Sequence, residues 1–390
     1  MNILFASDIS FNYFQGKYPG DEVAKSNFAE IVPYFERADF SIVNLECTFG
    51  CKETLTPITK SGPNQIAAPE FIRYIEELSP DAASLANNHA GDFGDKPIYD
   101  TIKMLESVGV TPFGIGADID EAYKPVLFEK DGVRLAVIGV CENEFGIATE
   151  SKPGSAGYSL GRVTRAIKRA TRGGYLPVIF FHGGNEHYAF PSPRKRELYR
   201  HFVDLGAGAV IAMHTHCPQG YEIYEGAPIV YSMGNFFFPA PDYPTGPRLP
   251  IWAYGYMTQV EFDREGATLS IIPYKQSFDG IKVLHGKELD SFTEYMEAIS
   301  RPIADRQFIN DYFETWCVSR DFLKLPRYDS ETRTSPAAAA QTKNLFNCEA
   351  HNEVLSTHAR VVFEGRENEV MQRFPIIESL QNMVIPDELK

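Results

Sequence analysis

No apolar run in this chain approaches the ~20 residues that a membrane-spanning helix needs. The stretch at residues 2–6 is too short for a signal-peptide core and has no basic leader. These absences lead to the expectation of a cytoplasmic protein with no membrane insertion. Basic residues are outnumbered as well: 37 Lys and Arg stand against 52 Asp and Glu, a net charge of −15, with no Lys/Arg block. Such a surface repels duplex nucleic acid and anionic membranes, so neither is expected as a partner. Divalent cations bound in a site would still reverse the potential locally and admit an anionic substrate. The six cysteines form no CxxC pair and no small-domain spacing, which argues against a disulfide scaffold and for reduced thiols. Internal repeats and low-complexity tracts are missing too. What remains is a globular composition, 44% hydrophobic and 23% charged, in 390 residues. That length suffices for one large domain or two ordinary ones.

Up to about residue 235, short apolar runs alternate with amphipathic segments. The runs 2–6, 40–45, 82–86, 134–140, 178–181, 209–213 and 228–232 predict strands. Residues 21–35, 69–77, 97–108, 160–171 and 193–205 predict helices, several opening with Pro or behind Asp or Ser. This alternation predicts an α/β domain whose strands lie between helices. Segments 254–263 and 267–274, joined at Glu265-Gly266, predict a hairpin returning to the sheet. Beyond about residue 285 the texture turns helical, at 287–299 and 303–317, while the polar stretch 324–334 predicts a loop. The expected division is a main domain over 1–280 and a mostly helical extension over 281–390 that packs on it.

Five of the apolar runs stop at residues able to hold a cation. Asp8 follows the first, Asn44 and Glu46 close the second, and Asn87, Asn88 and His89 follow the third. His182 follows 178–181, and His214 and His216 follow 209–213. In open α/β sheets ligands bind outside the carboxyl ends of strands, so five such ends predict one shared pocket. Its oxygen and nitrogen donors suit Mn, Fe or Zn. The i, i+2 spacing of His214 and His216 places both on one side of a strand end. Singly, each residue has a plainer role: Asp8 as a turn or helix cap, Asn87-Asn88 as a turn, Cys47 and Cys217 as packing residues. His201, His285, His351 and His358 read as surface or packing residues. Agreement among five strand ends is what favours a metal site.

The strings Ile42-Val-Asn-Leu-Glu46, Leu85-Ala-Asn-Asn-His-Ala-Gly-Asp92, His182-Gly-Gly-Asn-Glu186, His214-Thr-His216 and Tyr231-Ser-Met-Gly-Asn-Phe236 occur in this order. Together they resemble the calcineurin-like metallophosphoesterases, and more closely the CapA branch, named for capsule and poly-γ-glutamate biosynthesis. The likeness covers about residues 1–275. It implies a sandwich of central β-sheets flanked by helices and one or two divalent metal ions (Mn, Zn or Fe). It gives Asp8, Glu46 and His216 to one metal and Asn88, His182 and His214 to the other, with Glu46 bridging. It makes His89 the catalytic imidazole, protonating a leaving oxygen. Asn44, Asp92, Glu186 and Asn235 would orient ligands or substrate, and His187 would touch substrate. Two positions depart from the dinuclear phosphoesterases: Ser10 stands where their opening motif has His, and Glu46 where the bridging residue is Asp. Both weaken one metal position and raise the importance of His216 there.

The implied activity is a metal-dependent hydrolase using a metal-activated water on a phosphoester or amide bond. Its substrate would be a small molecule, polymer or peptide, anionic in character, in capsule, poly-γ-glutamate or related polymer metabolism. Two other readings share the site: a metal-dependent peptide epimerase moving a Cα proton, and a non-catalytic assembly factor in capsule biosynthesis. Loops 50–62, 146–157 and 237–250 are expected to carry specificity.

Overall fold

Alternating side chains along the first strand, Asn2–Ile9, divide the core of the molecule in two. Ile3 and Phe5 enter one apolar cluster and Leu4 and Ala6 the other. The first cluster fills the space between two β-sheets; the second lies between the first sheet and its own helices. In this computed structural model residues 1–14, 16–263, 266–320 and 335–390 are described.

Among those residues, the first sheet runs Gly280–Val283, Ala267–Ser277, Tyr254–Phe262, Asn2–Ile9, Phe40–Leu45, Ala82–Ser84 and Thr111–Phe113, with Asn235–Phe237 also paired to Asn2–Ile9. The second runs Tyr221–Tyr224, Ala227–Val230, Ala209–Met213, Leu176–His182, Val133–Cys141 and Val126–Lys130. Phe5 of one sheet stacks on Phe180 of the other at 5.9 Å, and Phe40 meets Phe128 at 4.6 Å. Helices cover the outer faces. Helix Pro193–Asp204, capped by the Ser192 hydroxyl, lays Tyr199 and Phe202 on Phe181. The architecture is therefore the expected α/β sandwich, central sheets flanked by helices, followed by a helical C-terminal region.

The predicted elements shift in detail. The single helix expected over 21–35 is two, Asp21–Phe28 and Val32–Arg37. Pro33 would break the interior of one long helix, so the chain turns and restarts with Pro near the new N-terminus. The first strand continues through Asp8 to Ile9, and Thr111–Phe113 and Val126–Lys130 are additional strands. The hairpin forms with Phe262 opposite Ala267; Glu265 of its turn and the loop predicted at 324–334 lie outside the described residues. No helix among the described residues is long and apolar enough to cross a membrane.

The C-terminal helices Gly286–Ser300, Arg306–Arg320, Glu349–Phe363 and Phe374–Gln381 bury Phe292, Ile309, Trp316, Val354 and Leu380 in the same cluster as the second sheet. Trp316 stacks on Tyr188 at 5.2 Å. A buried charge cluster adds to this join. Glu142, one residue past Val133–Cys141, pairs with Arg194 and with Lys195 Nζ at 3.1 Å, and Arg194 also meets Glu353 at 3.2 Å. Glu142 lies so close under the next loop that a Cβ added at Gly183 would fall 2.7 Å from it.

Burial pushes the Glu142 carboxyl up, but Lys195 and Arg194 outweigh it and hold it down to about 2. Burial wins at Lys195, which falls to about 8 despite Glu142. The lysine thus gains less from the pair than the carboxylate does. Replacing Glu142 with Gln strands buried cations and is expected to cost about 3–5 kcal/mol of unfolding free energy in a urea titration. Lys195→Met, which removes a buried charge, is expected to cost less. The contribution of Glu142 is complete above its unfolded value near 4.5 and drains as pH falls toward 2.

Candidate metal centre

The parallel strands of both sheets present their carboxyl ends at one place. Asp8 pairs in register with Asn44, and His182 lies beside Met213, the last residue before His214. The ladder around Asn2–Ile9 slips register between Phe5 and Asp8 on one side and between Asp8 and Ile9 on the other. Such an irregularity re-aims a side chain, here the Asp8 carboxylate. Glu46 follows Phe40–Leu45 and is tied by its N–H to Ile9 O at 2.8 Å.

The ligand atoms of Glu46, His182 and His214 lie within 4.8 Å of one another, as do those of Asp8, Glu46 and His216. Asn88 joins the first set, its Oδ1 3.1 Å from His182 Nε2, which is also 3.0 Å from His214 Nδ1. Asp8, Glu46, Asn88, His182, His214 and His216 are thus brought together, all buried. Glu46 belongs to both sets, and its Oε1 and Oε2 have no hydrogen-bond partner. Burial, with Asp8 next in effect, raises its carboxyl well above the usual range. Burial also pushes Asp8 up, but His182 and His216 outweigh it and hold it below its usual value. Burial and His182 drive His214 well below the ordinary imidazole range. Two buried carboxyl groups, one lacking donors, and imidazoles gathered around them are a donor set that a divalent cation satisfies.

The two histidines converge for a reason other than strand alternation. Ala209–Met213 ends before them, and His214 (φ 98°) and His216 (φ 54°) both take left-handed backbone. The chain coils at the sheet edge, with Thr215 between them bonded to Ser232 Oγ at 2.8 Å and the His214 N–H bonded to Asp8 Oδ2 at 3.0 Å. Non-glycine residues pay strain in this region, which persists where surroundings over-determine it.

Supporting residues fix the donors. Asn44 donates to Asp8 Oδ1 at 2.8 Å and lies 3.3 Å from His182 Nδ1. Asn235 Oδ1 is 2.8 Å from His216 Nδ1, which turns Nε2 of His216 toward the cluster. The His216 ring also lies against Trp252 at 4.7 Å. His89 Nε2 is 3.7 Å from Glu46 Oε1, and Nδ1 is 2.7 Å from Asp92 Oδ2. Burial, aided by the charge of Lys60, pulls His89 down to about 4 in spite of Asp92. His187 stands beside rather than in the donor set, its ring 6.3 Å from His216 and 5.7 Å from Trp252. Glu186 is exposed and within electrostatic reach of His216 and His187.

Three neighbours were missed in the sequence. Lys60 reaches Asp92, Glu144 Oε1 is 3.7 Å from His214 Nε2, and Trp252 flanks His216. None ends an apolar run or stands at a regular spacing from the donors, so no sequence signal marked them. If Asp8, Glu46 and His216 hold a cation, Asn235→Ala is expected to weaken Mn²⁺ binding about 10–100-fold in a calorimetric titration, because His216 loses the acceptor that fixes its ring.

A family model described as bacterial capsule synthesis protein PGA_cap matches residues 3–240. Capsule biosynthesis protein CapA of Bacillus anthracis is 30% identical over 219 residues, which cover 54% of this chain and 53% of that protein. PGA biosynthesis protein CapA of Bacillus subtilis (strain 168) is 26% identical over 237 residues, covering 60% and 62%. The chain therefore spans between half and two thirds of the length of these curated relatives. A solved structure of a hypothetical protein from Thermus thermophilus aligns over 73% of this chain and 100% of its own, with a TM-score of 0.41 and 16% identity. The matched stretch runs from the first strand to just past Asn235 and so contains every donor of the cluster; the chain belongs to the bacterial capsule synthesis protein family PGA_cap.

Proposed function

We propose that the chain is a metal-dependent hydrolase of capsule, poly-γ-glutamate or related polymer metabolism, cleaving a phosphoester or amide bond in an anionic substrate. The polymer context rests on the relatives' names, capsule and PGA biosynthesis proteins. The observation that carries the chemistry is the buried, unpartnered Glu46 carboxylate shared by two donor sets, with His89 Nε2 3.7 Å away. Asp8, Glu46 and His216 would hold one divalent ion, and Asn88, His182 and His214, with Glu46, a second. When bound, such ions acidify a water and polarise the bond under attack.

The protein's own groups do the rest. His89 is neutral at pH 7, and its Nδ1–H points to Asp92, so Nε2 is the free acceptor. It accordingly takes a proton first, from the attacking water, and returns it to the leaving group second. The second of these steps is the donation to the leaving oxygen that the family resemblance implies for His89. A cavity of about 880 Å³ opens beside Gly91, Glu144 and Phe145, with Lys343 and Phe346 of helix Pro336–Asn347 and Lys152 on its other walls. It has room for the part of the substrate beyond the scissile bond.

The same neutral His89 supports the peptide epimerase reading, in which it would take a Cα proton. Metal analysis of the purified protein, then assays of phosphoesters, γ-glutamyl amides and peptides with that metal, separates the two. Hydrolysis is expected, with His89→Asn lowering kcat about 10²–10⁴-fold at unchanged metal content. Solvent deuterium entering a Cα without cleavage would replace the hydrolase reading with the epimerase one.

A further inference from the structure

We propose that Lys60 is a positioning residue for His89, acting through Asp92 to fix which imidazole nitrogen carries the proton and where the other one points. This rests on the reading of His89 as the proton-transfer group. Lys60 comes from an irregular loop 29 positions before His89, yet its side chain is only 2% exposed and that of Asp92 1%. Lys60 Nζ donates to Asp92 Oδ1 at 2.6 Å and stands 3.1 Å from His89 Nδ1. An ammonium only donates and a carboxylate only accepts. The 2.7 Å contact between His89 Nδ1 and Asp92 Oδ2 therefore requires the ring proton on Nδ1, and Lys60 bonds the carboxylate rather than the ring. With Nδ1 so occupied, the lone pair of Nε2 faces Glu46.

The loop is built to hold this arrangement. Ile58 N–H donates to the Asp92 carbonyl at 2.9 Å, Asn64 Nδ2 donates to the same oxygen at 3.2 Å, and Gln65 N–H donates to Asp92 Oδ2 at 2.7 Å. Gln65 Oε1 in turn accepts from the Ser10 hydroxyl at 2.5 Å. Asp92 thus has one oxygen pinned by Lys60 and the other shared by Gln65 and His89, so the carboxylate cannot swing away from the ring. Ser10, two residues beyond Asp8, serves this strap and not the cation.

The test reads the His89 tautomer directly. In zinc-loaded protein carrying isotope-labelled histidine, with His89 signals assigned by their loss in His89→Asn, the native ring is expected to be protonated at Nδ1. Lys60→Gln is expected to give a mixture of tautomers, and Lys60→Arg to keep the native one. With bis(p-nitrophenyl) phosphate and Mn²⁺, Lys60→Gln is expected to lower kcat about 10–100-fold at unchanged KM and metal content, with partial recovery in Lys60→Arg. A native tautomer in Lys60→Gln would overturn the proposal. Lys60→Met, which keeps an apolar stem without the charge, is read the same way should the Gln variant lose its circular dichroism. If the native protein binds metal but turns over neither this phosphodiester nor a γ-glutamyl amide, the hydrolase reading falls, and the tautomer comparison still decides the role of Lys60.

Discussion

A carboxylate buried with no hydrogen-bond donor is among the costliest groups a fold can carry, and Glu46 is such a group. The rest of the site answers to it. Two sheets are needed because donors on its two sides come from different strands: Asp8 and Asn88 from the first sheet's edge, His182, His214 and His216 from the second. The register slip at Asp8 and the left-handed backbone at His214 and His216 bring their side chains to the same place around Glu46. Both sheet edges and the outer supports, Asn44 and Asn235, point those side chains toward the same few ångströms.

The chain is acidic overall, yet its interior around the site is organised by buried cations. Lys60 steadies Asp92, and Arg194 and Lys195 hold Glu142 beneath the loop that follows His182. The C-terminal helices take part through the same kind of contact. Glu353 meets Arg194, Glu349 accepts from Asn143, Gln381 donates to the His187 carbonyl, and Asn344 donates to Ser61 beside Lys60. Helices beyond the stretch that defines the family therefore brace the loops around the centre.

Much of this was legible in the chain because strand ends are local events. An apolar run that stops at Asp, Glu, Asn or His puts that residue at a sheet edge whatever the neighbouring strands do. Strand ends thus offered Asp8, Asn44, Glu46, Asn87, Asn88, His89, His182, His214 and His216, and the family resemblance singled out six of them as ligands. The helix over 21–35 failed on a local rule given too little weight, the cost of Pro33 in a helix interior. Among the strands not foreseen, Thr111–Phe113 was hidden because it is short and Val126–Lys130 because it carries polar residues on an edge.

By itself the sequence determined the order of the main elements and the candidate donors, since periodicity and chemistry are written along the chain. Only the tertiary structure decided how the donors meet. His214 and His216 converge through left-handed backbone, not strand alternation. Lys60 reaches Asp92 across a loop of no regular pattern. Glu46 becomes common to both sets because two sheets stack with their carboxyl ends together. Each of these depends on contacts between residues distant in sequence, and no spacing along a chain encodes the angle at which two sheets pack.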